Sequence, residues 1–260
     1  MLIGSYNING IRSAVKKGFI DWLQQSNIDI LLLQETRAAS TDIHEEIDKL
    51  KTIGYKNQYW YPAKKKGYSG LAILTKNING TIITGCDNAI YDDEARIQRL
   101  DLDKLSIINV YMPSGSSGEL RQEFKYKFLD FFYNYVVNTP TIPKNLIIAG
   151  DFNICHTEID IHNPKGHLKS SGFLPKERKW LDDFFNYNFI DAFRLFNKDH
   201  DNYTWWSFRS RSKEKNLGWR IDYILASKNL QCALVSSYIL PEVNYSDHCP
   251  VILQIDKEKI

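Results

Sequence analysis

The sequence predicts a one-domain α/β protein with strands in the interior and helices outside, on three observations. Short apolar runs rich in isoleucine, leucine and valine recur along the chain, and each abuts a polar signature. Runs of this kind read as buried strands. Between them lie segments whose apolar residues repeat at helical spacing. Finally, no Pro/Gly/Ser-rich linker and no repeat divides the 260 residues, and chains of this size often fold undivided.

Taken in order, Leu2-Ile3 leads to Asn7, and Phe19-Ile20-Asp21-Trp22-Leu23 has helical spacing before the run Ile30-Leu31-Leu32-Leu33. That run ends in Gln34-Glu35-Thr36. Ile107-Ile108-Asn109-Val110 ends in Tyr111. Leu120, Phe124, Phe128, Phe131, Phe132 and Tyr135 share one face of a long predicted helix that stops before Pro140. Leu146-Ile147-Ile148-Ala149 closes in Gly150-Asp151-Phe152-Asn153. Pro175 suits the first turn of a further helix, with Trp180, Leu181, Phe184 and Phe185 facing inward. Asp222 stands among Ile221, Tyr223, Ile224 and Leu225, and Ser246-Asp247-His248-Cys249-Pro250 precedes Val251-Ile252-Leu253. Glycine-rich polar loops are expected at 64–69, 113–118, 162–172 and 208–218, where binding residues tend to sit.

Hydrophobic residues at 43% and charged residues at 25% are ordinary for a soluble globular protein. A net charge of +2 gives no general affinity for nucleic acid, so any such binding rests on local clusters. Lys64-Lys65-Lys66 and the series Arg209, Arg211, Lys213, Lys215 are the candidates. The 15 Tyr, 13 Phe and 6 Trp supply core and potential stacking surfaces. Four scattered cysteines form no CxxC pair, which argues against zinc. The N-terminus lacks a signal-peptide pattern and no run approaches a membrane span. The expectation is a reduced, soluble, cytoplasmic protein.

Carboxylates, an imidazole, carboxamides and a phenol at strand ends suit a hydrolase that uses a hard metal ion. Glu35 closes a leucine run, where a carboxylate is costly unless a cation or hydrogen bonds compensate it. Asp151 and Asn153 are two residues apart and point to one side of an extended stretch, although an Asx turn would suit them equally. Asp151 could orient or deprotonate water, and Asn153 could hold a phosphate or Asp151 itself. His248 could neutralise phosphoryl charge if a carboxylate such as Asp222 holds its other nitrogen. Tyr111 could donate to the phosphate, and Asn7 could fix the acidic groups.

Together, Ser5-Tyr6-Asn7-Ile8-Asn9-Gly10, Leu33-Gln34-Glu35-Thr36-Arg37, Asn109-Val110-Tyr111-Met112-Pro113, Gly150-Asp151-Phe152-Asn153, Gly218-Trp219-Arg220-Ile221-Asp222-Tyr223 and Ser246-Asp247-His248-Cys249-Pro250 resemble the exonuclease III family of apurinic/apyrimidinic (AP) endonucleases, within the endonuclease/exonuclease/phosphatase superfamily. The match runs in order from residue 2 to residue 254. Gly67-Tyr68-Ser69-Gly70, Asn163-Pro164-Lys165-Gly166 and Ser171-Gly172-Phe173 resemble its DNA-repair branch.

The resemblance implies a four-layer α/β sandwich of two packed mixed sheets flanked by helices. It implies Mg2+-dependent cleavage 5′ to an abasic site in double-stranded DNA, leaving a 3′-hydroxyl, with Mn2+ as a substitute ion. It also implies 3′-to-5′ exonuclease and 3′-phosphodiesterase activity at 3′ ends, no membrane partner and a monomer. By resemblance, Glu35 binds the metal with Asn7, Asp151, Asn153 and Asp247 around it, and Asp151 handles water. Asp222, His248, Tyr111, Asn7 and Asn153 act on the phosphate. Trp205, Trp219 and Ile221 match an apolar pocket for the base-free sugar, though both indoles would also suit core packing. Arg37, Lys65, Tyr68, Ser114, Asn163, His167, Ser170 and Arg209 are nominated as DNA contacts on rim loops.

Asn9 stands where animal relatives carry an Asp, and Arg209 where they carry a Met. A lipid-directed phosphodiesterase of the same superfamily is the rival enzyme reading, but apolar membrane-touching loops are not apparent. A non-catalytic DNA-binding module is the rival outside enzymes, and intact Glu35, Asp151, Asp222 and His248 argue against it.

Overall fold

The computed structural model describes residues 1–260 apart from the side chain of Ser210. The strands, in chain order, are β1 Leu2–Asn7, β2 Ile30–Gln34, β3 Asn57–Tyr61, β4 Leu71–Thr75, β5 Thr81–Thr84, β6 Ile97–Asp101 and β7 Ser106–Tyr111. They continue with β8 Leu146–Asp151, β9 Phe189–Asp191, β10 Trp205–Trp206, β11 Gly218–Trp219, β12 Asp222–Ser227, β13 Leu234–Ile239 and β14 Val251–Ile255. One six-stranded sheet runs β13-β14-β1-β2-β4-β3 and the other β5-β6-β7-β8-β12-β9; both are mixed. Strands β10 and β11 form a separate two-stranded ribbon.

The apolar runs are continuous rather than alternating because both faces of each sheet are covered. In β2, Ile30 and Leu32 face the inter-sheet core, whereas Leu31 and Leu33 face the helices Ile11–Lys16, Phe19–Gln25 and His44–Thr52. In β8, Ile147 and Ala149 face between the sheets, and Leu146 and Ile148 face the helices Glu119–Asn138 and Pro175–Asn188. The order is therefore helix, sheet, sheet, helix, the four layers expected.

The long helix Glu119–Asn138 stops before Pro140 as expected, but one of its predicted inward residues does not face the core. Leu120 is 84% exposed, and the buried residues are Lys125, Phe128, Leu129, Phe132 and Val136. Leu120 lies in the first turn, ahead of the stretch that crosses the sheet, so helical spacing alone overextends the buried stripe. Pro175 opens its helix, with Trp180, Leu181 and Phe184 buried and Phe185 partly so.

Strand parity decides where the polar residues go. Asn7 shares its side with Ile3, Tyr111 with Ile107, Asp151 with Ile147 and Ala149, and Asp222 with Ile224. Side chains at i and i+2 line one face, so four terminal residues drawn from two sheets all face the seam between them.

Candidate active site

Glu35 lies one residue beyond β2, with a φ of 50°. Non-glycine residues in this left-handed region carry strain of about 1–3 kcal/mol and collect at functional sites. Asn9, Arg37 and Asn153 share this conformation. The segment is pinned on both sides: Gly10 and Ile11 donate to the carbonyls of Glu35 and Thr36, and Thr36 and Arg37 donate to those of Gly70 and Ser69. Beneath Asp151, Gly150 has a φ of 151°, and a Cβ there would lie 1.8 Å from the Val110 carbonyl oxygen. Only glycine allows β8 to pass β7 so closely.

One hydrogen-bonded network joins the two sheets. Asn7 Nδ2 donates to Glu35 Oε1 at 3.0 Å and to Asp151 Oδ2 at 2.9 Å. Its Oδ1 accepts from the Asn9 N–H, which settles the orientation of the amide. Tyr111 donates to Glu35 Oε1 at 2.7 Å. Asn153 donates its backbone N–H to Asp151 Oδ1 at 2.8 Å and its Nδ2 to the Met112 carbonyl at 3.0 Å. Asp222 pairs directly with Asp151 in the β12–β8 register and holds His248 Nδ1 at 2.8 Å. His248 Nε2 lies 3.8 Å from Asp151 Oδ2. Asp247 accepts from Asn9 Nδ2 at 2.7 Å and from Trp205 Nε1 at 3.0 Å.

This geometry separates the charges. Burial and the nearby Asp222 carboxylate push Asp151 up to about 7, against the pull of His248. For His248, burial opposes the cation, but the charge and hydrogen bond of Asp222 override it and push the imidazole up to about 10. Burial works to raise Glu35, yet the Arg37 charge and hydrogen bonds from Asn7 and Tyr111 hold it below its ordinary value. Asp247 is held low in the same way by His248, Asn9 and Trp205, against its burial. A carboxyl raised towards neutrality beside an imidazole held by a second carboxylate has the pKa pattern a general base requires.

The oxygen donors suit a hard divalent cation. Glu35 is ionised and only 14% exposed, and Asp151 and Asp247 lie within the same network. Asn7 would have to turn its amide over to present oxygen, giving up the Asn9 contact. The tightest cluster of ligating atoms is a different one, Asp151, Asp222 and His248, all within 4.8 Å of one another. His248 Nδ1 is committed to Asp222, and that pairing favours the imidazolium, which would not ligate a metal. A cavity of about 880 Å³, lined by Leu146, Phe189 and Ser227 among others, opens at the opposite ends of β8 and β12 and contains none of these groups.

Beside the network, buried Cys155, Ile161, Phe173 and Ile221 form an apolar cluster against which Trp205 and Trp219 pack, both partly exposed. Their rings meet edge to face, with centroids 6.1 Å apart. Buried Cys155 and Cys249 pack here and beneath the ribbon. Of the nominated DNA contacts, Arg37 binds Glu35, His167 packs against Trp219 at 5.0 Å and takes Ser170 as a hydrogen-bond partner, and the Tyr68 hydroxyl accepts from Arg96 and Arg121. Lys65 lies over Tyr68, and Ser114 bonds Ser116. Asn163 and Arg209 are exposed and make no bond to the network.

Two residues with a structural claim on the site were missed. Buried Arg96 stacks on the Tyr111 ring at 4.3 Å and donates to the Tyr111 carbonyl. Its signal was a charged residue opening the run Arg96-Ile97-Gln98-Arg99-Leu100. Thr204 Oγ1 accepts from the N–H groups of both Ile221 and Asp222, at 3.1 Å each, and nothing in the sequence pointed to it.

Residues 4–248 match the Endonuclease/Exonuclease/phosphatase family. The chain is 35% identical over 259 residues to a DNA-(apurinic or apyrimidinic site) endonuclease of Dictyostelium discoideum, covering 98% of this chain and 71% of that one. It is 33% identical over 258 residues to an exodeoxyribonuclease of Bacillus subtilis, covering 98% of this chain and 100% of the relative. The solved structure of an AP endonuclease from Archaeoglobus fulgidus superposes with a TM-score of 0.88 at 28% identity, covering 98% of this chain and 99% of that one. With these likenesses spanning both the strands and the polar residues at their ends, the chain belongs to the endonuclease/exonuclease/phosphatase family of phosphodiester hydrolases, in its exonuclease III group of DNA-repair nucleases.

Proposed function

We propose that the protein cleaves double-stranded DNA on the 5′ side of an abasic site and leaves a 3′-hydroxyl. We further propose 3′-to-5′ exonuclease and 3′-phosphodiesterase activity at 3′ ends. The carrying observation is the chain of contacts from Glu35 through Asn7 and Asp151 to His248 and Asp222, beside the apolar cluster of Trp205, Trp219 and Ile221 that we read as the sugar pocket. A small apolar slot accepts a sugar without its base and excludes a full nucleotide.

In this reading, Asp151 takes a proton from the attacking water, whose oxygen bonds to phosphorus as the P–O3′ bond breaks. The departing 3′ oxygen takes up a proton from water. His248, Asn153 and Tyr111 donate to the phosphoryl oxygens as negative charge grows there. Glu35 would hold Mg2+, or Mn2+ in its place, with Asp151, Asp247 and the amide oxygens of Asn7 and Asn153 as the further donors on offer. When bound, such a cation offsets phosphate charge as a Lewis acid. Arg37, Lys65, Tyr68, Ser114, Asn163, His167, Ser170 and Arg209 are proposed to flank the DNA backbone. The chain is proposed to act as one monomeric domain in the cytoplasm; no helix among its described residues is long and apolar enough to cross a membrane.

The test is an end-labelled duplex carrying one tetrahydrofuran abasic analogue, beside its intact twin, each with magnesium and with EDTA. A single magnesium-dependent cut 5′ to the analogue is expected, with laddering of the twin measuring exonuclease strength. No cut in either duplex, with turnover of phospholipid analogues instead, would overturn the proposal.

A further inference from the structure

A buried ion pair that the catalytic scheme does not use lies behind the site. Lys125, on the helix Glu119–Asn138, and Glu177, on the helix Pro175–Asn188, are both 0% exposed and sit 2.5 Å apart. Such a pair is weak evidence for stability, because apolar side chains of similar size often replace one at no cost. What the pair holds is more informative.

Lys125 Nζ donates to the carbonyl of Asn153 at 2.8 Å, and so grips a residue in the left-handed conformation. Glu177 Oε2 accepts from the N–H groups of Gly172 at 2.7 Å and Leu174 at 3.0 Å. Gly172, at a φ of 93°, lies between the two halves of the site. A Cβ there would stand 3.0 Å from the Trp219 ring and 3.1 Å from the Asn153 carbonyl oxygen. Its own carbonyl accepts from Cys155, a member of the pocket cluster. Gln122, one helical turn before Lys125, donates to Glu177 at 3.0 Å and lies against Gly115 in the loop after Tyr111.

We propose that Lys125 and Glu177 are positioning residues that fix the phosphate-side Asn153 at a set distance from the Gly172–Trp219 wall of the sugar pocket. The inference rests on the abasic-site reading above. The pair touches no reacting atom. It makes one rigid body of the residue that meets the phosphate and the wall that meets the sugar, so that both are engaged together only when the flipped residue has no base. Its loss loosens this registry and costs abasic cleavage more than resection of undamaged ends, which calls on Asn153 without the same fit at Trp219.

The experiment compares wild type with the double variant Lys125→Met/Glu177→Gln, which removes both charges and leaves an acceptor for Gly172 and Leu174. Single-turnover rates are measured on the tetrahydrofuran duplex and on 3′-end resection of its intact twin, alongside thermal melting. The ratio of abasic cleavage to resection is expected to fall about tenfold or more, with melting within about 5 °C of wild type. An unchanged ratio, whether both rates hold or both fall by one factor, would overturn the inference. If the double variant does not fold, Glu177→Gln alone is read by the same ratio. A wild type that resects but never cuts the analogue would refute the abasic reading itself, a result distinct from a wild type that cuts while the variant keeps its ratio.

Discussion

The charge on His248 depends most on Asp222, with Asp151 and Asp247 adding to it, and Asp222→Asn removes the largest contribution with almost no change in shape. In the wild type the carboxylate, 2.8 Å from Nδ1, holds the imidazole pKa near 10, so the ring is essentially fully protonated at pH 7.5. Without it, burial disfavours the cation against only the weaker pull of Asp151 and Asp247, so the imidazole pKa falls. At the ordinary value of about 6.5, about one ring in ten would stay charged at that pH, which marks the scale of the loss. If the imidazolium stabilises the phosphoryl oxygens, kcat falls with the charged population, about tenfold at that value, and by about a hundredfold to a thousandfold if the contact matches other oxyanion donors. Two readings check this. Carbon-13 NMR of the His248 ring should show its midpoint move down from above pH 9. The variant-to-wild-type rate ratio should rise as pH drops from 8.5 towards 6. A variant whose His248 still titrates above 9, or whose rate matches wild type across that range, would refute the reasoning.

The same pair carries a stability signature. A raised imidazole pKa adds stability that is fully present below about pH 6.5 and is lost as pH rises through about 10, so urea midpoints should decline over that interval in wild type and stay flatter in His248→Gln. Asp151→Asn is expected to keep DNA affinity in a gel-shift assay while cleavage falls by orders of magnitude; near-normal turnover would remove Asp151 from the water-handling role. Glu35→Gln should weaken Mn2+ binding, measured by titration calorimetry, at least tenfold, and unaltered affinity would place the cation elsewhere. Gly150→Ala would force a Cβ to 1.8 Å from the Val110 carbonyl, and a loss of several kcal/mol in denaturant melts, or failure to fold, is expected.

Much of the site was legible because each polar residue ends its own apolar run. Period-two parity then puts Asn7, Tyr111, Asp151 and Asp222 on the same side as their inward neighbours, a local rule that needs no partner strand. The four layers follow from runs that are apolar on both faces together with amphipathic helices to cover them. Where local spacing was pushed too far it failed: Leu120 has the right spacing but lies in the helix's first turn and is exposed.

Which face meets which was a matter for the tertiary structure alone. Asn7 and Asp151 are 144 residues apart and belong to different sheets, and only stacking of those sheets brings the amide within 2.9 Å of the carboxylate. Arg96 meets Tyr111 across neighbouring strands of one sheet, Thr204 reaches Asp222 from the loop before β10, and the Lys125–Glu177 strut joins two helices. Each is a polar group whose partner lies on another element, so its role has no period and no local signature. The sequence alone determined which residues carry charge and which side of a strand they take, because those depend on near neighbours. The values of that charge, an Asp151 near neutrality beside a cationic His248, arise from burial and opposed carboxylates that exist only once the sheets have packed.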